Sequence, residues 1–310
     1  MAPKRIPSRA LQLANDPNKA WEITRASQGE PLSLPAEAFT SEQLKPPDAI
    51  RFVMISDTHS YESKQMAIET ALDRIPEGDV LLHCGDFSNV GKLEEIASFA
   101  RWFGALPHKR KIVIAGNHDL ALDENSFANT AVRFGHCDVH DPTKTCKEAR
   151  AMLEGIPDCE YLCDSGTMVE GIKVWGSPWQ PEFCEWAFNL PRGAACRAKW
   201  SLVPAETDVL LTHGPPLGHG DLCSSGHRAG CLDLLDDIQT RIKPAVHAFG
   251  HIHEGAGVTT DGSTLYVNAS TCNLRYRPIN QPIVVDVLPP DPASGRARAE
   301  VVMGGRTHEL

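Results

Sequence analysis

Five times along this chain a short apolar run halts at a knot of aspartate, asparagine or histidine. Ile50–Ile55 runs into Ser56-Asp57-Thr58-His59, and Asp79–Leu82 leads through His83 to Cys84-Gly85-Asp86. Lys111–Ala115 ends at Gly116-Asn117-His118-Asp119, Asp208–Leu211 at Thr212-His213-Gly214, and Ala245–Phe249 at Gly250-His251-Ile252-His253. Apolar runs this short, bounded by polar breaks, are the mark of buried strands. Helix-period segments follow the first three: 64–75 stopped by Pro76, 93–106 stopped by Pro107, and 124–134. Strand and helix in alternation imply right-handed crossovers and a sheet covered on both faces. Past residue 150 the rhythm turns more antiparallel. A hairpin is expected around Glu170-Gly171, a helix over 232–242, and further strands at 265–267 and 283–287.

In an open α/β sheet, ligands bind beyond the carboxyl ends of the strands. Polar knots at five such ends therefore converge, however far apart they lie in sequence. The residue types then select the chemistry. Two divalent cations side by side need a bridging carboxylate with nitrogen and oxygen ligands around it. Asp86 is the natural bridge. Asp57, His59 and His253 would complete one position, and Asn117, His213 and His251 the other. A single intervening residue sends Asp57 and His59 to the same side of an extended chain, and likewise His251 and His253. Carboxylate, amide and imidazole donors without thiolate suit manganese first, with iron or zinc as alternatives.

Composition narrows the partners. The 310 residues carry a net charge of -10, which argues against a protein built to hold nucleic acid. Ten cysteines are scattered without the spacing of a disulfide framework or zinc ribbon. No stretch approaches membrane-spanning length and no apolar signal segment follows the basic start, so a reducing, cytoplasmic home is expected. Residues 1–49 are polar and proline-rich and read as an N-terminal arm anchored by Trp21. Residues 50–288 read as the ordered domain, and 289–310 as a peripheral tail. The sequence carries no sign of oligomeric state.

The pattern Asp57-x-His59, Gly85-Asp86, Gly116-Asn117-His118-Asp119, His213 and Gly250-His251-x-His253 resembles the calcineurin-like metallophosphoesterase superfamily. Arg51–Ser60, Lys111–His118, Asn189–Gly193, Thr212–Gly218 and Asn268–Cys272 look like one branch of it. That branch is the metallophosphoesterase-domain-containing proteins first described from brain, relatives of class III cyclic-nucleotide phosphodiesterases. The similarity runs from about residue 51 to 288. It implies a four-layer α/β/β/α sandwich of two mixed sheets flanked by helices, a two-metal centre, and hydrolysis of small phosphodiesters, cyclic nucleotides among them. Some members carry glycine where this chain has His251, which lets a nucleotide occupy the crippled metal site. The histidine here implies a competent catalyst, and makes a nucleotide-binding regulator of low turnover the alternative. The arginine of the protein-phosphatase motif is absent after Gly85-Asp86, so phosphoprotein hydrolysis is not expected. A nuclease of the same fold is disfavoured by the acidic charge.

The expected mechanism has water, activated between the two cations that Asp86 bridges, attacking phosphorus. Asn117 would neutralise charge on the non-bridging oxygens. His118, adjacent to a ligand, would protonate the leaving alkoxide, while Asp119 reads either as its orienting partner or as a solvated turn residue. Substrate contacts are expected between Asn117 and His213, where Trp179, Phe183, Trp186 or Phe188 could stack on a base and Arg192 meet a phosphate. His83, His219 and His247 are read as structural or surface histidines.

Overall fold

A computed structural model of the chain describes residues 5–61, 70–136, 139–291, 295–303 and 306–309. Two seven-stranded sheets dominate it. In the first, Ile50–Ile55, Val80–His83, Arg110–Val113 and Cys159–Tyr161 run parallel. Ile283–Leu288, Arg298–Met303 and Arg306–Glu309 extend it antiparallel on the far side of Ile50–Ile55. In the second, Ile172–Ser177, Val209–Thr212, Val246–Phe249 and Leu265–Asn268 run parallel. Ser165–Val169 closes one edge. Gly257–Thr260, and beyond it Leu32–Leu34, close the other.

The period of two along each strand sorts side chains into layers. Phe52, Met54, Val80 and Leu82 face Val209, Leu211, Val246 and Val267 in a core between the sheets. Their neighbours Val53, Ile55, Leu81 and Val113 turn outward against Ile96, Phe99 and Phe103 of helix Leu93–Ala105. On the opposite flank, Leu210, Phe249 and Tyr266 pack under Trp200, Leu235 and Trp21 from helices Ala194–Trp200, Leu232–Asp237 and Pro17–Gln28. Helix, sheet, sheet, helix is the expected four-layer sandwich. Each such side chain withdrawn from water contributes about 1.5–3 kcal/mol before entropy is charged against it.

The element reading needs corrections. Of the helix expected over 64–75, residues 64–69 lie outside the described part, and Ala71–Arg74 forms a 3₁₀ turn. Of 124–134, only Phe127–Thr130 is helical. The helix covering the first sheet there is Pro142–Glu154, whose N-cap Asp141 accepts from the Lys144 N–H. Its buried face is Cys146, Ala149 and Leu153, too small a set to print a strong apolar period. Among the first 49 residues, Pro17–Gln28 is a helix and Leu32–Leu34 a strand, and Trp21 is buried. No helix among the described residues is long and apolar enough to cross a membrane.

Candidate metal centre

The five strand ends meet. Ser56 and Ser270 form a parallel bridge that joins the ends of strands from the two sheets. The loops after the first strands interlock: Asp57 N–H donates to Gly85 O at 2.9 Å, His59 N–H to Asp86 O at 3.0 Å, and His118 N–H to Asp86 Oδ1 at 2.8 Å. From the other sheet, His251 N–H reaches both oxygens of Asp57 at 3.1 Å, and Ser270 Oγ donates to Asp57 Oδ2 at 2.8 Å. Asp57, His59, Asp86 and His251 all sit at positive φ, between 47° and 69°. For non-glycine residues that conformation costs about 1 kcal/mol or more each, and it persists because the surrounding bonds over-determine it. Glycine is required nearby on steric grounds: a Cβ at Gly116 would collide with the Asp86 carboxylate and the His213 ring, and one at Gly250 with Asp57.

Three overlapping groups of ligand atoms result, each within 4.8 Å: Asp57, His59 and His253; His59, Asp86 and His118; and Asp86, His213 and His251. Asp86 and His59 belong to two groups each, and Asn117 joins the third through Oδ1, 2.9 Å from His213 Nε2. All seven residues expected as ligands are therefore brought together, with Asp86 central.

The donor set fits a pair of divalent cations, as the hydrogen bonds argue independently. His213 Nδ1 is 2.8 Å from Cys84 O and His253 Nδ1 is 3.0 Å from Asn273 O. A carbonyl only accepts, so both rings carry their proton at Nδ1 and turn Nε2 inward. There His213 Nε2 meets Asp86 Oδ2 at 3.3 Å, and His253 Nε2 meets Asp57 Oδ1 at 3.3 Å and His59 Nε2 at 3.2 Å. Lone pairs facing carboxylates are repulsive unless a proton or a cation lies between them. His59 Nδ1 and Asn117 Nδ2 are buried with no hydrogen-bond partner among the described residues.

The charge states agree. Burial alone would raise the carboxyl of Asp57 and lower His253, but their contact outweighs it, leaving the acid low and the imidazole raised. Burial would likewise raise Asp86, yet His213, His118 and His59 hold it well below the carboxylate range. His213 is depressed by burial, but the Asp86 charge reverses this and carries it to about 9. Burial keeps His59 and His251 neutral, each lowered to about 3.

Around the cluster, His118 gives its Nδ1 proton to Asn89 O at 2.6 Å and lies stacked on Trp186, centroids 4.0 Å apart. Its Nε2 stands 4.0 Å from Asp86 Oδ2. Asp119 does not orient it. That carboxylate instead accepts from Asp86 N–H, Ser88 N–H and Gly116 N–H at 2.8–3.0 Å, and from Ser88 Oγ at 2.6 Å, bracing two ligand loops. Burial, reinforced by the Asp86 charge, pushes Asp119 up to about 7.

Two of the expected substrate contacts, Trp179 and Arg192, are committed elsewhere. The Trp179 indole N–H donates to Asp164 at 3.0 Å and its face carries the Lys199 ammonium at 4.3 Å. Arg192 donates to Gly230 O and Ala229 O at 2.7 and 2.8 Å. The aromatics that do border the cluster are Trp186, Phe183 (ring 5.1 Å from His251) and Tyr276 (ring 4.7 Å from His59). Tyr276 follows no apolar run, so no strand-end signal marks it. His83, His219 and His247 are engaged by Thr58, Thr259 and Thr212 hydroxyls, in keeping with structural roles.

The sequence profile described as calcineurin-like phosphoesterase matches residues 50–255. The chain is 41% identical over 284 residues to Metallophosphoesterase domain-containing protein 1 of Homo sapiens, covering 90% of this chain and 84% of that one. It is 37% identical over 285 residues to UPF0046 protein T07D4.2 of Caenorhabditis elegans, covering 89% and 69%. A solved crystal structure aligns with TM-score 0.50 at 15% identity over 84% of this chain and 98% of its own, a likeness of fold alone.

Proposed function

The chain belongs to the calcineurin-like phosphoesterase family, and on that premise we propose that it is a two-metal hydrolase of small phosphodiesters, cyclic nucleotides among them. Membership itself makes it a metal-dependent phosphoester hydrolase. The observation that carries the finer reading is Asp86 between two ligand groups, with the inward lone pairs of His213 and His253 on either side. Two divalent cations held there, manganese by preference, would supply Lewis-acid charge and an activated water.

The chain's own residues supply the rest. Asn117 keeps a buried amide N–H₂ spare to meet a non-bridging oxygen. His118, with Nδ1–H fixed on Asn89 O and its plane fixed by Trp186, offers the Nε2 proton to the leaving alkoxide. The aromatic border of Trp186, Phe183 and Tyr276 supports a base-bearing substrate over a bare alkyl ester. Nucleic acid and membrane surfaces are not proposed partners. The scattered spacing of the cysteines supports the reducing cytoplasm as its compartment.

The test is metal analysis of the purified protein joined to an ester panel with added manganese: nitrophenyl diesters, 2′,3′- and 3′,5′-cyclic nucleotides, and monoesters. Preference for diesters is expected. Preference for monoesters would overturn the diesterase reading. A tightly retained nucleotide with negligible turnover would favour a regulator.

A further inference from the structure

His253 faces two ways. One side closes the ligand group with Asp57 and His59. The other lines a cavity of about 440 Å³ walled by Asn273, Arg275, Arg277 and Asn280. We propose that this cavity is a second anion site, in which Arg275 and Arg277 hold a phosphate of the substrate remote from the reacting one. The preferred substrate class is then a nucleotide diester carrying an additional phosphate.

The backbone that presents the two arginines is built in advance. Asn273 Oδ1 accepts from Arg275 N–H at 2.9 Å and Arg277 N–H at 3.2 Å, folding the loop over its first residue. Asn273 N–H donates to Arg277 O at 2.9 Å, and Cys272 bridges Pro278. At the far end Asn280 donates through Nδ2 to Ser270 O at 2.9 Å and through its N–H to Thr271 O at 3.1 Å. Asn273 O is also the carbonyl that fixes His253, so the loop and the ligand group share one anchor. A loop this firmly tied loses little entropy when it captures a ligand.

Among the described residues, the guanidiniums themselves form no hydrogen bond or ion pair. Arg275 and Arg277 are exposed and find no carboxylate partner among the described residues, while the other charged group on the wall, Glu254, already accepts from Ser224 N–H at 2.6 Å. Two free forks and one engaged carboxylate leave the cavity net positive in a chain whose total charge is -10. Paired guanidiniums suit the several oxygens of a phosphate. Tyr276, between them in sequence, lays its ring against His59 and His253 and would separate the two anion positions.

This inference rests on the phosphodiesterase reading of the adjoining site, so the experiment scores the two apart. Calorimetric titration of the manganese-loaded protein compares adenosine 3′,5′-bisphosphate with adenosine 5′-monophosphate, while turnover of bis(p-nitrophenyl) phosphate is followed separately. The bisphosphate is expected to bind about tenfold tighter at low salt, since each exposed charge pair contributes a few-fold. Arg275→Ala with Arg277→Ala should bring that ratio to about one while leaving monophosphate affinity and nitrophenyl ester turnover unchanged. The double lysine variant should keep part of it. A wild-type ratio near one, a ratio surviving in the alanine variant, or an equal loss for both nucleotides overturns the second site. Absent turnover of the nitrophenyl ester overturns the hydrolase reading, and the binding ratio still decides this one.

Discussion

His118, His213 and His253 each give a ring proton to a backbone carbonyl, and that shared device sets up different tasks. In His213 and His253 it turns a lone pair toward a carboxylate, which is a ligand's posture. In His118 it leaves the second nitrogen as the place for a transferable proton. Protonation matters most when the leaving group is a poor one, so His118→Ala should cost roughly 10²–10⁴-fold in kcat on an alkyl diester but only about tenfold on a nitrophenyl diester. Steady-state kinetics on the pair checks this, and equal losses would remove His118 from the role. His213 carries a second prediction. In the ion-free protein its imidazole is raised to about 9, so at neutral pH a proton occupies the place a cation would take. Binding must expel it, so apparent manganese affinity should rise with pH, by up to about tenfold per unit, and level off above about 9. Titrations between pH 6 and 9 would show it, and a flat profile would contradict it. The seven residues expected as ligands could be picked out because each follows an apolar run at a strand end. Asn89 and Tyr276 were not, because loops deliver them and no periodic pattern fixes where a loop returns.

The elements themselves were legible where burial is strongly patterned. The strands that carry ligands alternate toward two different cores and stand out as apolar runs, whereas helix Pro142–Glu154 buries cysteine, alanine and a single leucine and does not. Helix Pro17–Gln28 hid for a related reason: its face is carried largely by one residue. Trp21 packs into the outer core of the second sheet, with Arg228 stacked 4.7 Å over its ring and Gly218 directly beneath. Gly218, at φ 88°, is a position where the close approach of that ring leaves no room for a side chain. Trp21→Ala should therefore cost about 3–5 kcal/mol of stability in denaturant unfolding, as large aromatic truncations do. Its effect on kcat/KM should be small, because the helix contributes no group to the metal cluster. A loss of activity without a loss of stability would mean the helix reaches the site by another route.

Across the whole molecule, the cluster is assembled from both halves. Asp57, His59, Asp86 and Asn117 come from the first sheet, and His213, His251 and His253 from the second. Cations held by these residues would bind the folded state alone, so manganese at about 100 times its dissociation constant should add roughly 2.7 kcal/mol. A melting temperature several degrees higher with manganese than with chelator is expected, and calorimetric scans with and without the ion check it. The pairing of Leu32–Leu34 with Gly257–Thr260 has a further consequence. A chain begun at residue 50 would leave the backbone of Gly257–Thr260 unpaired along its outer side, an open template for strands of other copies. Such a truncation should elute as oligomers or precipitate while the full chain does not. The first forty-nine residues would then serve as a seal against self-association.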